Sequence, residues 1–254
     1  MKKIVLSFDD ARADTYRNAW PILKQHNFPC TINVVTDFVE HPHQYACFAS
    51  GNNESMTPGQ LMECEQNGAE IACHGHTHQN TVQDILDNIA ALCRMGLKTL
   101  DIGFASPFSH ITKNNCQDIK ALRDDKTISY IRSGIQARRE GLLYAAFTWV
   151  ERKTHSKVLF WWLNQRNVLR DKNAEILPSV GITKHTTVQQ ILYMIDRMQP
   201  DDCVILMFHS VLCRAEAGYG KDEWCYDSTR FKQLCAALKQ NDEVQVITTK
   251  DALK

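Results

Sequence analysis

The chain has 254 residues, with 29 Lys+Arg against 29 Asp+Glu, 44% hydrophobic and 23% charged, close to the soluble globular average. At this length one α/β layer or barrel fold buries enough surface to need neither disulfides nor a partner for its core. The formal net charge of zero argues against a general nucleic-acid binder, because that affinity rests on clustered Lys and Arg.

Strand and helix signals alternate from the first residue. Ile4-Val5-Leu6 is an apolar run ending at Asp9-Asp10, as in a buried parallel strand with polar groups at its carboxyl end. A helix is predicted over 15–26, with a break or fresh first turn at Pro21, and Phe28-Pro29 leads into a β-branched strand at 31–35. Thr57-Pro58 reads as N-cap and first helical residue, with Gly68 just past the helix end; 70–73 is a third strand that delivers His74. Thr81 with Asp84 resembles a capping box, the set Val82, Ile85, Leu86, Ile89 and Cys93 has helical period, and Gly96 ends that helix. Later strands are predicted at 99–104, 127–131, 142–149 and 204–208. A helix over 228–239, with Phe231, Leu234, Cys235 and Leu238 on one face, precedes a last strand at 244–248. The βαβα pattern, without repeat or linker, predicts one α/β domain over 1–254 built on a parallel sheet or barrel.

Acidic residues arrive before any apolar stretch of signal-peptide length, and the longest apolar runs fall far short of the ~18 residues that span a bilayer. The expectation is a soluble, cytoplasmic protein with no membrane insertion. The ten cysteines include no C-x-x-C, and Cys73, Cys93, Cys203 and Cys235 fall on apparent core faces, which predicts free buried thiols rather than a disulfide framework.

Three predicted strand ends carry unusual groups: Asp9-Asp10, then His74-Gly75-His76-Thr77-His78, then His209. In parallel α/β folds the carboxyl ends share one face, so these distant groups can converge. Two histidines and one carboxylate form a facial N,N,O set that suits Zn²⁺ and also Fe²⁺, Co²⁺ or Mn²⁺. Taken singly, Asp-Asp is most often a turn or cap and paired histidines a weak metal signal; together at strand ends they point to a hydrolytic metal site. His76 would point away from its neighbours on a helix.

These residues resemble the NodB-like polysaccharide deacetylases, carbohydrate esterase family four. Leu6-Ser7-Phe8-Asp9-Asp10 is similar to that family's T-F-D-D motif, and the segment 57–78 to its helix, Gly-x-Glu-Ile strand and His-x-x-x-His motif; Ile205 to His209 resembles the last motif. The resemblance implies an irregular (β/α) barrel and metal-dependent hydrolysis of an N-acyl group on an amino sugar, its partner being an N-acylated carbohydrate. By position Asp9 would be the general base, Asp10, His74 and His78 the metal ligands, and His209 the acid that protonates the leaving amine.

The sequence also departs from the family. The Arg-Pro-Pro-Tyr-Gly motif reads Ala105-Ser106-Pro107-Phe108-Ser109, so its arginine is missing, with Arg132 or Lys113 as candidate replacements. The fourth motif, with its aspartate and tryptophan, has no clear counterpart between 130 and 165. The glycine after Asp-Asp is Ala11, and Met207 stands where leucine is frequent. These changes leave two alternatives, hydrolysis of a non-sugar amide, cyclic imide or formamide, and a catalytically weak carbohydrate-binding homologue. Phe160-Trp161-Trp162 reads as packing, and the loop with Tyr219, Trp224 and Tyr226 equally as packing or a sugar-stacking platform. His41, His43, His110, His155 and His185 read as surface residues, and Lys98 and Arg138-Arg139 as solvated charge.

Overall fold

Short apolar strands, each followed by a helix or loop, wind in one direction around a common axis until the seventh pairs back onto the first. The computed structural model describes residues 1–41, 54–111, 113–134, 142–171 and 173–254, with backbone alone at 113, 114, 134 and 142. In chain order the strands are β1 (Lys2–Asp9), β2 (Thr31–Val34), β3 (Glu70–Cys73), β4 (Phe104–Ala105), β5 (Ile131–Gly134), β6 (Val168–Leu169), β7 (Leu177–Gly181), β8 (Cys203–Phe208), β9 (Ser210–Leu212), β10 (Cys225–Asp227) and β11 (Val244–Ile247). The order β1-β2-β3-β4-β5-β7-β8 is parallel throughout and closes through pairing of β8 with β1 from Lys3↔Cys203 to Phe8↔Phe208. The predicted (β/α) barrel is therefore the observed one. β6 and β11 pair with the starts of β8 and β1, leaving the carboxyl ends of those strands to β7 and β2.

The two-residue period of a strand sorts side chains between the barrel interior and the surrounding helices. On β1, Ile4, Leu6 and Phe8 join the large core that contains the helix residues, whereas Val5 clusters with Tyr130, Leu177, Cys203 and Ile205. Ser7 and Asp9 continue the face of Val5, so an apolar floor gives way to a polar layer toward the carboxyl ends of the strands.

The helices are α1 (Trp20–His26), α2 (Thr36–Glu40), α3 (Pro58–Gln66), α4 (Val82–Arg94), α5 (Lys113–Asp124), α6 (Leu142–Thr154), α7 (Lys157–Asn164), α8 (Val188–Asp196) and α9 (Ser228–Lys239). None of the described helices is long and apolar enough to cross a membrane. A π-helical turn over Thr15–Ala19 precedes α1, whose first turn holds Pro21, so the predicted break falls there. Thr57 and Gln60 cap α3 reciprocally, and Gly68 follows at φ +91°. On α4, Thr81 accepts from the Asp84 N–H, but the Asp84 carboxylate turns to the preceding loop instead of closing a box. The α4 stripe is also rotated from the predicted one: Ile85, Asn88, Ala91 and Leu92 are buried, while Leu86 and Cys93 are exposed. Asn88 draws this face inward by donating to the carbonyls of Val34 and Gly75 and to Thr36 Oγ1.

Three strand predictions need correction. Residues 142–149 are helical in α6, because an apolar run with two alanines suits a helix as well as a strand. The strands expected at 99–104 and 127–131 begin later, at Phe104 and Ile131. β7 escaped notice because Pro178 disguises a central strand. The nine described cysteines are all free; Cys73, Cys203 and Cys235 are buried as expected and Cys93 is not. His43 and Arg138-Arg139 fall outside the described residues.

Asp227 caps α9, accepting from the Thr229 and Arg230 N–H groups at 2.7 and 3.1 Å and from the Tyr219 hydroxyl at 2.6 Å. Burial pushes its pKa up, but Tyr219, Arg214 and the capped N–H groups outweigh this and lower it from 3.8 to about 2. A carboxylate depressed in the folded state stabilises above its unfolded pKa and loses that contribution as pH falls toward the folded value. Asp227→Ala should cost about 1 to 2 kcal/mol at pH 7, and the difference from wild type should shrink between pH 4 and pH 2, as read by urea unfolding. A pH-independent difference would contradict this cap.

Candidate active site

β1 ends at Asp9, and the next two residues, Asp10 and Ala11, take φ values of +77° and +54°. This left-handed turn lets adjacent aspartates share one pocket, which extended backbone would forbid. Holding Ala11 rather than glycine in that region costs roughly 1 kcal/mol. β3 delivers His74, whose Nδ1 donates to the Ala105 carbonyl at 2.7 Å, leaving Nε2 turned to the site with a free lone pair.

The stretch from His74 to His78 is loop, not helix, with positive φ at Gly75 and His78. Asp84 clamps this loop by accepting from the Thr77 N–H and hydroxyl at 2.8 and 2.7 Å and from the Gln79 N–H at 2.9 Å. A Cβ on Gly75 would collide with the Asp84 carboxylate, so the close approach requires glycine. His76 leaves the site as expected, its Nδ1 lying 2.9 Å from Thr36 Oγ1. The His78 ring packs 4.5 Å from that of Phe108, in the loop where the family motif differs.

The carboxylate of Asp10 and the rings of His74 and His78 thus converge. The two Nε2 atoms lie 3.6 and 3.8 Å from Asp10 Oδ1, and all three donor atoms are within 4.8 Å of one another. Asp10 Oδ1 is buried yet accepts no hydrogen bond, an expense that a cation would relieve. Without one, burial drives Asp10 up to about 8 against the pull of Arg12, and burial holds His74 at about 4 and His78 at about 3. The residues present fit a divalent cation.

Asp9 has different surroundings. Arg132, on β5 and wholly buried, donates from Nη2 to both Asp9 oxygens at 2.8 and 3.0 Å. Asn33, the neighbour of Asp9 in register on β2, donates to Oδ1 at 2.7 Å. Burial raises the Asp9 pKa, but Arg132 with His74 and His209 pulls it down further, to about 2. Arg132 also donates to Ser179 on β7 at 3.3 Å. Of the two candidate replacements for the missing motif arginine, Arg132 thus reaches Asp9 from another strand; the side chain of Lys113 lies outside the described residues.

His209 follows β8 and packs its ring 4.7 Å from Trp224. Burial lowers its pKa to about 4 although Asp9 opposes the shift. It shares with Asp9, Asp10 and His78 a cleft of about 240 Å³, whose walls include Met207, Ser109 and Trp224. A Cβ on Gly181 would come within 2.8 Å of the Trp224 ring, so that glycine makes room for this wall. Of the aromatic loop, only Trp224 faces the cleft: Tyr219 bonds Asp227, and Tyr226 is buried against Phe208. Phe160 is core, but Trp162 is exposed.

All five residues singled out in the sequence lie here. Asn33, Asp84 and Ser179 were missed, although a polar side chain near the carboxyl end of an apolar strand was a signal for the first.

The sequence profile of the family described as polysaccharide deacetylase matches residues 1–123. YxkH of Bacillus subtilis (strain 168), provisionally named a polysaccharide deacetylase, is 29% identical over 77 residues, which span 30% of this chain and 24% of that protein. The fold is similar to a family 4 acetyl xylan esterase from Clostridium thermocellum, solved with a cobalt ion (TM-score 0.54, 13% identity, 98% of this chain and 89% of that one). It is also similar to the peptidoglycan deacetylase PdaC from Bacillus subtilis (TM-score 0.51, 13% identity, 99% and 89%). With the profile spanning the first two motifs and the fold shared with these structures over nearly the whole chain, the chain is similar, through residues 1–123, to the polysaccharide deacetylase family.

Proposed function

We propose that this protein is a divalent-metal-dependent hydrolase that removes an N-acetyl or related N-acyl group from an amino sugar in a polysaccharide, oligosaccharide or precursor. The observation that carries the reading is the Asp10-His74-His78 donor set beside an ionised Asp9 held by Arg132, in one cleft with His209. Zn²⁺ suits the N,N,O set best, and Co²⁺, Fe²⁺ or Mn²⁺ share its geometry. The cobalt ion in the similarly folded xylan esterase supports a cation here.

A bound cation would acidify water and polarise the acyl carbonyl. Asp9 is ionised across the physiological range and takes the proton from the attacking water, with Arg132 and Asn33 fixing the direction of its lone pairs. Because its pKa is only about 2, Asp9 is a weak acceptor and needs an acidified water. His209, on the other wall of the cleft, donates a proton to the departing amine, which leaves badly as an anion. As His209 is held near 4, it is neutral in the resting site at pH 7 and takes up from solvent the proton it donates. Asp9 returns to solvent the proton it took from water, so the enzyme ends the cycle as it began. The Arg132–Asp9 pair favours an active enzyme over a weakened homologue, since the function of the missing arginine is met.

The test is acetate release from a panel of N-acetylated oligosaccharides and sugar nucleotides by protein stripped with a chelator and reloaded with Zn²⁺ or Co²⁺. Release on loading, falling by about a hundredfold or more on stripping, is expected. No acetate from any member overturns the reading, and amine release from non-sugar amides alone would transfer it to them.

A further inference from the structure

Nine large apolar side chains are exposed among the described residues, and five of them, Leu143, Phe147, Trp149, Val158 and Trp162, belong to α6 and α7. Trp162 is 51% exposed with its ring 5.2 Å from that of Phe147. The exposed Leu143 and Val158, one turn before Phe147 and Trp162, extend this contact into one patch across the two helices, whereas Trp149, two residues after Phe147, stands on the other flank of α6. The adjoining face of α6, with Tyr144, Thr148 and Glu151, lines a second cavity of about 220 Å³ that shares Trp224 with the reaction cleft. Around α6, Leu143, Ala145, Ala146, Phe147 and Trp149 are all in the open, where an ordinary surface helix shows charge.

The charge of this region is as one-sided as its hydrophobicity. Residues 142–170 hold Arg152, Lys153, Lys157, Arg166 and Arg170 against a single acid, Glu151, in a chain of zero net charge. Glu151 is buried and accepts from Gln190, while Glu223 and Asp202 pair with Arg152 and Arg170, so the positive charge of the outer face rests on the exposed Lys153, Lys157 and Arg166. Lys153 and Lys157 are exposed at the facing ends of the two helices, beside the aromatics. Exposed Trp and Phe rimmed by Lys and Arg is the composition that seats a helix in the headgroup layer of an anionic bilayer. A second copy of this face is a poorer occupant, because a two-fold contact would bring the same lysines together.

We propose that α6 and α7 dock this protein on an anionic phospholipid surface, the side chains of Leu143, Phe147, Val158 and Trp162 entering the headgroup layer with Lys153 and Lys157 reaching the phosphates. Docking would hold the second cavity and the cleft beside the bilayer, within reach of an amino sugar carried on a lipid. That consequence rests on the proposed function, whereas docking itself does not.

The experiment is co-sedimentation of the full chain with vesicles of phosphatidylcholine alone or with one quarter phosphatidylglycerol, at low salt and at 0.5 M NaCl, with tryptophan emission recorded alongside. Binding to the anionic vesicles with a blue shift, weakened by salt and by loss of the anionic lipid, is expected. The double variant Phe147→Ser/Trp162→Ser, and separately Lys153→Glu/Lys157→Glu, should each weaken partitioning by about tenfold or more. Absence of binding at low salt overturns the proposal, as does binding that neither variant alters. So does a dimer in light scattering that the same variants dissociate. Deacetylase activity enters none of these readouts, so failure of docking and failure of the functional reading are distinguishable.

Discussion

Asp9→Asn should lower kcat/KM for acetate release by about 10²- to 10⁴-fold with the protein saturated in metal, the loss expected when a general base is removed. The amide keeps the shape of the carboxylate and can still accept one hydrogen bond from Arg132 or Asn33, so the cleft keeps its geometry while the proton acceptor disappears. The same substitution leaves the wholly buried Arg132 without its counter-charge. Breaking such a pair costs about 3 to 5 kcal/mol, whereas replacing both partners by apolar or neutral groups of similar volume is far milder. The double variant Asp9→Asn/Arg132→Met should therefore recover much of the stability lost in Asp9→Asn and none of the activity. Urea unfolding and steady-state kinetics on the three proteins separate the two effects. Activity of Asp9→Asn within tenfold of wild type would remove Asp9 from the reaction, and a double variant no more stable than the single one would remove the ion pair from the stability argument.

A comparable loss of stability is expected at a position with no part in the chemistry. Gly103 precedes β4, and a Cβ built there overlaps the ring of Tyr130, which fills the floor of the barrel. The Tyr130 hydroxyl donates to Glu70 Oε1 at 2.7 Å, and Glu70 Oε2 accepts from Thr31 Oγ1 and the Lys250 N–H, both at 3.0 Å. Thr31 Oγ1 in turn meets the backbone and hydroxyl of Thr249. The network ties β2, β3, the residue before β5 and the C-terminal turn into one plug, so the ring has nowhere to yield without leaving Glu70 partly unpaired. Gly103→Ala should cost about 3 kcal/mol or more and lower Tm by on the order of 10 °C, with far-UV circular dichroism at 20 °C little changed. Gly103→Ala/Tyr130→Leu should recover part of the loss, since the smaller side chain admits the methyl. A loss below about 1 kcal/mol in the single variant would mean that Tyr130 is not held in this position.

The sequence by itself determined the fold class and which residues gather at the candidate site. Apolar runs that end in Asp9-Asp10, His74 and His209 placed the chemistry at strand termini, and Thr57-Pro58 and Gly68 bounded a helix, because caps and strand ends are local chemistry that neighbouring residues specify. Where a signal was local but ambiguous the reading failed, as at 142–149, whose apolar residues suit either periodicity, and at Pro178, whose strand exists only because β5 and β8 flank it. Tertiary structure alone decided what surrounds the reacting groups. No spacing reveals that Arg132 answers Asp9 across 123 positions, that Asp84 turns from its cap to hold the loop of His78, or that α6 presents Trp149 outward. Partners such as these are selected by barrel closure, which joins residues through space irrespective of their order along the chain.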